Sequence, residues 1–500
     1  MVMLASVLVA ATFTRTLERV STMDPAMATT VYDAHAVQLV HETPLEVDYT
    51  ARPYKLVPGF CELPEVSEDG LTYTFKVKVE KRGGQRNRSA PDVVRSLERL
   101  RDPKIVSPNG WIVKDVDTIK ATDARTVEIR LKRRCHFFPW LMAMSACGVR
   151  GPNGEGTGPY ELAHWRKNHE MVFSRRDSKP QNLKTSNNFD TIRYLVVDDA
   201  STQWLMFLKG ELDFLGDISR DNFDSVVGAD GRLDPMLERQ GVKLHSIPTM
   251  EVLHIGINMR DPVLGPNKKL RQALNAAFDY PAWEKFYNGR IVPCPTPVPP
   301  GVDGRLEKPF AYAFDLEKAK RLMAEAGYPD GIDPKTGRRL VLKMSIGRAS
   351  QESREAGELT AAFYEKIGVK LELDFKTWTA FVSAVNEGRV QMFRMGWVGD
   401  YPDAQNFLQL FYSKNVNPGP NHANYGNPAF DREYEAALDA KTAAERNAHW
   451  ARCQEIVQED CPWVFTHVNK AYSLVRPAVK NYVPSDFPYG HEKHYRPAVK

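Results

Sequence analysis

Cysteine and net charge are both scarce in this chain of 500 residues. Its six cysteines form no CxxC pair and no zinc-ligand spacing, so neither a disulfide framework nor a structural zinc site is expected. The 67 basic and 63 acidic side chains leave a net charge of only +4, too balanced for a surface that binds nucleic acid. No run of about 18 uncharged apolar residues exists, so no transmembrane helix is predicted.

The first residues allow two interpretations. Residues 2–11 are an apolar run that ends in small residues, similar to the hydrophobic part and cleavage site of a secretory signal, but no Lys or Arg precedes them. Alternatively, residues 8–17 form the first strand of the fold, and the export signal is weak or truncated. The sequence leaves both interpretations open.

Strand and helix patterns alternate along the chain, and 42% apolar residues are enough to bury more than one core. The most regular part has strand patterns at 340–345, 371–375 and 391–395, with helical patterns at 352–367 and 380–386 between them. This βαβαβ order predicts a largely parallel sheet with helices on its faces. Ligands of such sheets bind beyond the carboxyl ends of the strands, so residues after Met395 are candidates for a site.

Catalytic motifs are missing from the sequence. There is no GxSxG, no P-loop and no HExxH. Four glycines between residues 151 and 158 lack the GxGxxG spacing and precede Pro159, which favours a turn into a strand at 160–162 over a phosphate site. His491 and His494 lie in a tail rich in Pro and Tyr, which favours a surface tail over a metal site. We therefore predict a binding protein and not an enzyme, without metal or cofactor.

Several segments, taken in order, resemble family 5 of the bacterial extracellular solute-binding proteins, the peptide and nickel class that includes the dipeptide and oligopeptide receptors of ABC importers. Each segment is weak alone, but their number and order argue against chance. They cover most of the chain: TMDPA at 22–26, LVPG at 56–59, SEDGLTYTF at 67–75, APDVV at 90–94, GTGPY at 156–160, GELD at 210–213, Asn258, LRQALNAAFD at 270–279, and residues 318–328.

This resemblance implies an α/β fold of the periplasmic binding protein-like type II, in which two hinged lobes close over the ligand. Lobe I would hold residues 1–40, 157–247 and 468–500, residues 41–156 would be an extra subdomain of lobe I, and lobe II would be 248–467. It also implies a monomeric peptide receptor that is periplasmic or extracytoplasmic and associates with the membrane through the permease subunits of the transporter.

A peptide zwitterion loses water around its ammonium and carboxylate when it is enclosed, so each group needs a paired charge. Oligopeptide receptors of the family carry a segment RxGWxxDY, and Arg394, Gly396, Trp397, Asp400 and Tyr401 match it. The resemblance implies that Asp400 binds the ammonium, Arg394 a carboxylate or an acidic side chain, and Trp397 the wall of a side-chain pocket. Tyr401 completes the predicted ligand-binding motif.

A purely structural interpretation of the same residues stays open. Asp400 would then cap a helix near residues 405–411, with Asp403 as another candidate cap, and Trp397 would belong to the core. Arg348 and Arg354, which follow another strand end, are candidates for a terminal carboxylate or simply surface charges.

The ligand class also has alternatives. Within the family these are a metal chelate, haem, glutathione or an oligosaccharide; nickel capture would require histidines nearby, and only His422 is close to the motif in sequence. A peptide hydrolase is the alternative from another class of protein.

Overall fold

The computed structural model describes residues 10–78, 89–176, 188–216, 218, 220–228, 231–487 and 489–498. Most of the signal-like run at residues 2–11 lies outside this part of the chain. The chain divides into two compact units: unit 1 is Met1–Ile247 with Ala471–Lys500, and unit 2 is Pro248–Lys470. The assignment of residues 41–156 as an extra subdomain stays a prediction.

Twenty-two strands run through the described residues. In chain order they are β1 Thr12–Thr16, β2 Leu45–Asp48, β3 Lys55–Pro58, β4 Glu65–Val66, β5 Thr72–Lys76, β6 Val116–Ala121, β7 Thr126–Leu131, β8 Tyr160–Arg166, β9 Glu170–Arg175, β10 Thr191–Leu195, β11 Phe214–Leu215, β12 Lys243–Pro248, β13 Glu251–Ile257, β14 Ile291–Pro293, β15 Ile332–Asp333, β16 Arg338–Arg339, β17 Val341–Ile346, β18 Lys370–Phe375, β19 Met392–Val398, β20 Trp463–Val475, β21 Val479–Lys480 and β22 Arg496–Pro497.

Fourteen α-helices alternate with these strands in the same residues. They are α1 Val31–Val40, α2 Ala90–Glu98, α3 Phe138–Leu141, α4 Ala200–Lys209, α5 Arg220–Val226, α6 Pro235–Arg239, α7 Lys268–Ala276, α8 Tyr280–Phe286, α9 Leu316–Glu325, α10 Gln351–Glu365, α11 Trp378–Asn386, α12 Ala404–Leu408, α13 Pro428–Asp439 and α14 Ala443–Asp460. None of these described helices is both long enough and apolar enough to span a bilayer.

The main sheet of unit 1 is built on β1. Parallel β10 and β11 flank it, and β9 and β8 extend the sheet beyond β10. The strand interpretation of residues 8–17 is therefore confirmed for Thr12–Thr16, because Phe13 is fully buried in the core beside β10. The turn predicted before β8 is also confirmed. Residue 156 in this segment has no space for a side chain, because a Cβ at Gly156 would lie 2.3 Å from the Val40 carbonyl oxygen.

The carboxy-terminal tail packs into unit 1, so the prediction of a surface tail is wrong. Glu492 is fully buried between Arg15 and His35, and Lys493 pairs with Glu46 at 2.7 Å. Aromatic packing explains the burial of His491: it and His494 each stack on Tyr49 with ring centroids 5.4 Å apart. The sequence pattern of Pro and Tyr indicated irregular backbone, but irregular backbone can be buried when its side chains have partners.

The central sheet of unit 2 has the strand order β18–β17–β19–β13–β20. β17 runs parallel to both β18 and β19, which confirms the predicted βαβαβ unit and its parallel sheet. β19 ends three residues later than predicted, because antiparallel pairing with β13 continues through Trp397 and Val398. Trp397 therefore lies in the strand, two residues beyond the end that the sequence predicts.

Two apolar clusters cover the faces of this sheet. A large core includes Leu274, Trp283 and Phe363 from the helices on one side, whereas a smaller cluster packs Phe381 and Val385 of α11 against Phe393. All six cysteines of the chain are buried, and none of them forms a disulfide.

Candidate ligand-binding site

Three loops of unit 2 follow the strands of the parallel unit. Because β17, β18 and β19 run in the same direction, their carboxyl ends meet at one edge of the sheet. Residues 347–350 follow β17, Lys376 and Thr377 follow β18, and residues 399–403 follow β19. Arg348 and Asp400 therefore share an edge, on loops after adjacent strands.

Asp400 is a half-buried carboxylate without a cation. Its Oδ2 accepts a hydrogen bond from Asn406 Nδ2 at 3.3 Å, and within the described part of the chain no Lys, Arg or His pairs with it. Burial raises the pKa of the Asp400 carboxyl above its ordinary value, and the hydrogen bond from Asn406 opposes this without cancelling it. The negative charge of this desolvated carboxylate is therefore not neutralised by a protein cation in the described residues. A positively charged group of a ligand can neutralise it.

The helix-cap interpretation of Asp400 is wrong. Asp403 caps α12, because its Oδ1 accepts a hydrogen bond from the Gln405 backbone N–H at 2.9 Å. Asp400 stands three residues earlier, after Gly399, where a Cβ would lie 2.7 Å from the Phe407 ring. Its carboxylate is therefore not required to begin the helix.

Asn406 joins Trp397 to Asp400. Its Oδ1 accepts hydrogen bonds from Trp397 Nε1 at 3.0 Å and from the Asp400 backbone N–H at 3.1 Å, while its Nδ2 donates to the Asp400 carboxylate. Asn406 is 1% exposed, so its side chain is fixed by packing. Its three hydrogen bonds therefore fix the positions of Trp397 and Asp400 relative to α12. Asn406 was not predicted from the sequence, because its place six residues after the motif aspartate, on a helix capped by Asp403, is not distinctive by itself.

Trp397 is half-buried rather than part of the closed core. Its ring lies on the face of β19 that also carries Phe393 and Met395, since alternate residues of a strand share a face. The indole N–H is held by Asn406, and part of the ring stays accessible. The geometry allows Trp397 to contact a ligand bound at Asp400.

Arg394 points to the opposite face of the sheet from Trp397. Its Nη2 donates to Tyr287 Oη at 2.6 Å, and its guanidinium lies 5.7 Å from the centre of the Trp283 ring. Burial, together with the positive charge of Arg394, lowers the pKa of His467 to about 3, so this histidine is neutral. Among the described residues, no carboxylate pairs with Arg394. Arg394 and Trp397 lie on opposite faces of the sheet, so the two residues do not form one surface.

Tyr401 is 2% exposed and belongs to the interior. Its hydroxyl donates to Gln405 Oε1, whose amide in turn donates to Tyr434 Oη at 2.7 Å. As it stands in the structure, Tyr401 supports the loop from beneath and does not present its ring at the surface.

The two candidate arginines after β17 differ. Arg348 is exposed, and no hydrogen bond or ion pair to its side chain occurs in the described residues. Arg354 is tethered: its Nε donates to the Ala349 carbonyl oxygen at 3.3 Å, and its guanidinium stacks 4.7 Å from the centre of the Phe375 ring. Of the two, Arg348 has the guanidinium available for a ligand carboxylate.

Metal ligands do not cluster in the described ranges, where no three His, Cys, Asp or Glu side chains lie close enough to hold an ion. His422 is buried, and burial lowers its pKa. Its Nδ1 donates a hydrogen bond to Asn417 Oδ1 at 3.3 Å.

Comparisons with known proteins agree with this architecture. Residues 55–419 match the family model of bacterial extracellular solute-binding proteins, family 5 middle. The heme-binding protein A of Haemophilus influenzae is 26% identical, with 94% of this chain and 88% of that protein covered. The dipeptide-binding protein of Escherichia coli is 25% identical, with 91% and 88% covered.

Solved structures show the same fold. The unliganded open form of MppA, a periplasmic murein tripeptide binding protein, superposes with a TM-score of 0.81 at 21% identity, covering 98% of this chain and 97% of that one. HbpA2 from Haemophilus parasuis superposes with a TM-score of 0.84 at 22% identity, covering 98% and 100%. Both the resemblance and the α/β fold of the type II periplasmic binding proteins are thus confirmed, and this chain belongs to family 5 of the bacterial extracellular solute-binding proteins.

Proposed function

We propose that this protein captures short peptides outside the cytoplasm and presents them to the permease of an ABC importer, without acting on them chemically. The observation that carries the proposal is Asp400: a half-buried carboxylate at the carboxyl edge of a parallel sheet, with one neutral hydrogen-bond donor and no cation among the described residues. A peptide ammonium supplies the missing charge.

The ligand carboxylate has its counterpart on the neighbouring loop. Arg348 and Asp400 follow adjacent parallel strands, so we expect one short peptide to reach both. Arg394, on the other face of β19, is then a site for an acidic side chain or a second carboxylate rather than for the same terminal group.

Haem and glutathione are the competing ligands, because the heme-binding protein of Haemophilus influenzae and the glutathione-binding protein GsiB of Escherichia coli, 27% identical over 84% of this chain, also match. Mass spectrometry of ligands that copurify with the folded protein tests the proposal directly. Thermal shift with a dipeptide and tripeptide mixture, glutathione and haem, run beside a peptide-cleavage assay, separates the ligand classes. Stabilisation by haem alone, or peptide cleavage, would contradict the proposal.

Replacing Arg348 is expected to weaken binding of peptides with a free carboxyl terminus. A hydrogen bond to a charged group contributes about 1.5 to 3 kcal/mol, so Arg348→Gln should raise Kd by about 10- to 100-fold in calorimetry. Arg354→Gln is the matched control, because its guanidinium already has Ala349 and Phe375 as partners. Peptide amides, which lack the carboxylate, should bind the wild type and Arg348→Gln equally. An unchanged Kd for the free peptide in Arg348→Gln contradicts the assignment.

The lobe closure that the family resemblance implies predicts a change of size on binding. A ligand biases an open-to-closed equilibrium only through its additional contacts in the closed state. Small-angle scattering should therefore give a smaller radius of gyration when a binding peptide saturates the protein, and no change with an N-acetylated peptide at the same concentration. An unchanged radius of gyration at saturation would argue against closure.

A further inference from the structure

The side-chain amide of Asn406 can face only one way. Its Oδ1 accepts from Trp397 Nε1 at 3.0 Å and from the Asp400 backbone N–H at 3.1 Å, whereas its Nδ2 donates to Asp400 Oδ2 at 3.3 Å. Reversing the amide would place Nδ2 against two N–H donors and Oδ1 against a carboxylate oxygen. A single fixed side chain therefore connects the indole to the carboxylate.

The two carboxylate oxygens of Asp400 are not equivalent. Oδ2 accepts the hydrogen bond from Asn406, while no hydrogen bond to Oδ1 occurs in the described part of the chain. Burial raises the pKa of Asp400, the Asn406 bond opposes this, and no charged side chain of the described residues shifts it. Asp403, the other carboxylate of this loop, accepts from the backbone of α12. Asn406 thus favours the charged form of Asp400 and leaves Oδ1 for a ligand.

The helix beneath the loop gives Asn406 a fixed position. Phe407, the next residue of α12, is fully buried. Between Trp397 and Asp400 the chain passes through Gly399, where a Cβ would lie 2.7 Å from the Phe407 ring, so the turn lies directly on the helix. A displacement of either partner must therefore break a hydrogen bond to Asn406, because the amide cannot follow it.

We propose that Asn406 is a positioning residue that joins the Asp400 carboxylate and the Trp397 indole into one energetically coupled unit of the binding site. The inference rests on the proposed function, in which Asp400 binds the peptide ammonium. Asn406 is 1% exposed, so it acts through its two partners and not by touching the ligand. The ammonium and the part of the ligand that lies against the indole are then recognised together and not as independent contacts.

The first test is the pH dependence of the Kd for Ala-Leu, measured by calorimetry on the full protein. Asn406→Ala should raise Kd at neutral pH by about 10-fold or more, because a hydrogen bond to a charged group is lost. It should also move the loss of affinity on acidification to higher pH, because the charged form of Asp400 has lost its donor. A purely structural role of Asn406 would lower the melting temperature without moving this pH midpoint.

Gln405→Ala is the matched control for Asn406→Ala. Gln405 is the preceding residue of α12 and is also a buried amide, but its side chain bonds to Tyr401 and Tyr434. This variant should lose stability and keep the wild-type pH midpoint. An equal shift of the midpoint in both variants would contradict a specific role of Asn406.

The second test is a double-mutant cycle that does not depend on the folding of Asn406→Ala. Trp397→Phe keeps an aromatic ring but lacks the N–H that Asn406 accepts. Its effect on the Kd for Ala-Leu should be at least about threefold smaller in the Asp400→Asn background than in the wild type, because residues of one hydrogen-bonded network are not additive. In the Asn406→Ala background the two substitutions should be additive.

The outcomes separate this inference from the proposed function. An unchanged pH midpoint in Asn406→Ala, or additive effects of Trp397→Phe and Asp400→Asn in the otherwise wild-type protein, overturns the inference, and the proposed function stands as long as Asp400→Asn weakens peptide binding. If neither Ala-Leu nor any other short peptide binds the wild type, the proposed function itself has failed.

Discussion

Asp400→Asn is expected to reduce the affinity for an unmodified peptide by about a hundredfold to a few thousandfold. The substitution keeps the shape of the side chain but leaves the peptide ammonium desolvated and unpaired, and breaking a buried ion pair costs about 3 to 5 kcal/mol. Isothermal titration calorimetry of the wild type and the variant with the same peptide measures the loss.

An N-acetylated peptide distinguishes an ammonium site from a general disturbance of the loop. It lacks the positive charge, so it should bind the wild type poorly and lose little further affinity in Asp400→Asn. Asp403→Ala is the matched control: it removes the cap of α12 and should cost about 1 kcal/mol of stability or more. Its effect on the two peptides should be equal. Equal affinity of the wild type and Asp400→Asn for the free peptide would refute the assignment.

The same substitution should not destabilise the free protein at neutral pH. Burial raises the pKa of Asp400, so the folded state holds the proton of this carboxyl more tightly than the unfolded state. The free energy of unfolding therefore decreases as the pH rises from the unfolded-state pKa of Asp400 through its folded-state pKa. Asn does not ionise, so the variant does not lose stability in this way. The melting temperature of the unliganded variant should equal or exceed that of the wild type. Peptide affinity of the wild type, in turn, should decline on acidification at a higher pH than for an exposed aspartate. A lower melting temperature at neutral pH would indicate a structural role.

Glu492→Gln is expected to destabilise unit 1 by about 3 to 5 kcal/mol, because it removes one partner of a buried ion pair and leaves Arg15 uncompensated. Glu492 is fully buried and also lies 3.2 Å from His35 Nδ1, so a single carboxylate connects β1, α1 and the carboxy-terminal tail. Urea unfolding at neutral pH should show a lower midpoint for the variant.

Acid should narrow the difference between Glu492→Gln and the wild type. Burial alone would raise the pKa of Glu492, but His35 and Arg15 hold it well below its usual value. The stability that this carboxylate contributes is present above its unfolded-state pKa and is lost as the pH falls through the folded-state pKa. Glu98→Gln, which breaks an exposed pair with Arg101, is the control and should cost at most about 1 kcal/mol. If Glu492→Gln is as stable as the wild type at neutral pH, the ion pair between Glu492 and Arg15 does not stabilise unit 1.

The candidate site was predictable as far as it depends on residue type and spacing. Asp400 and Trp397 were found from the RxGWxxDY pattern, and strand periodicity placed them near the end of a parallel strand. Asn406 was not found, since an isolated Asn on a helix has no distinctive spacing. Its role depends on which atoms come within hydrogen-bonding distance.

Local patterns in the sequence were sufficient to determine the βαβαβ unit, its parallel sheet and the family, because alternation, helix caps and motif order are properties of neighbouring residues. Tertiary contacts decided the rest. Pairing with β13 extended β19 to Val398 and so turned Arg394 and Trp397 to opposite faces, and Asp403 rather than Asp400 capped α12. The tail around Glu492 became interior because its charges and rings found partners more than 400 residues away in sequence. Such partners are set by folding in three dimensions, and no local pattern contains them.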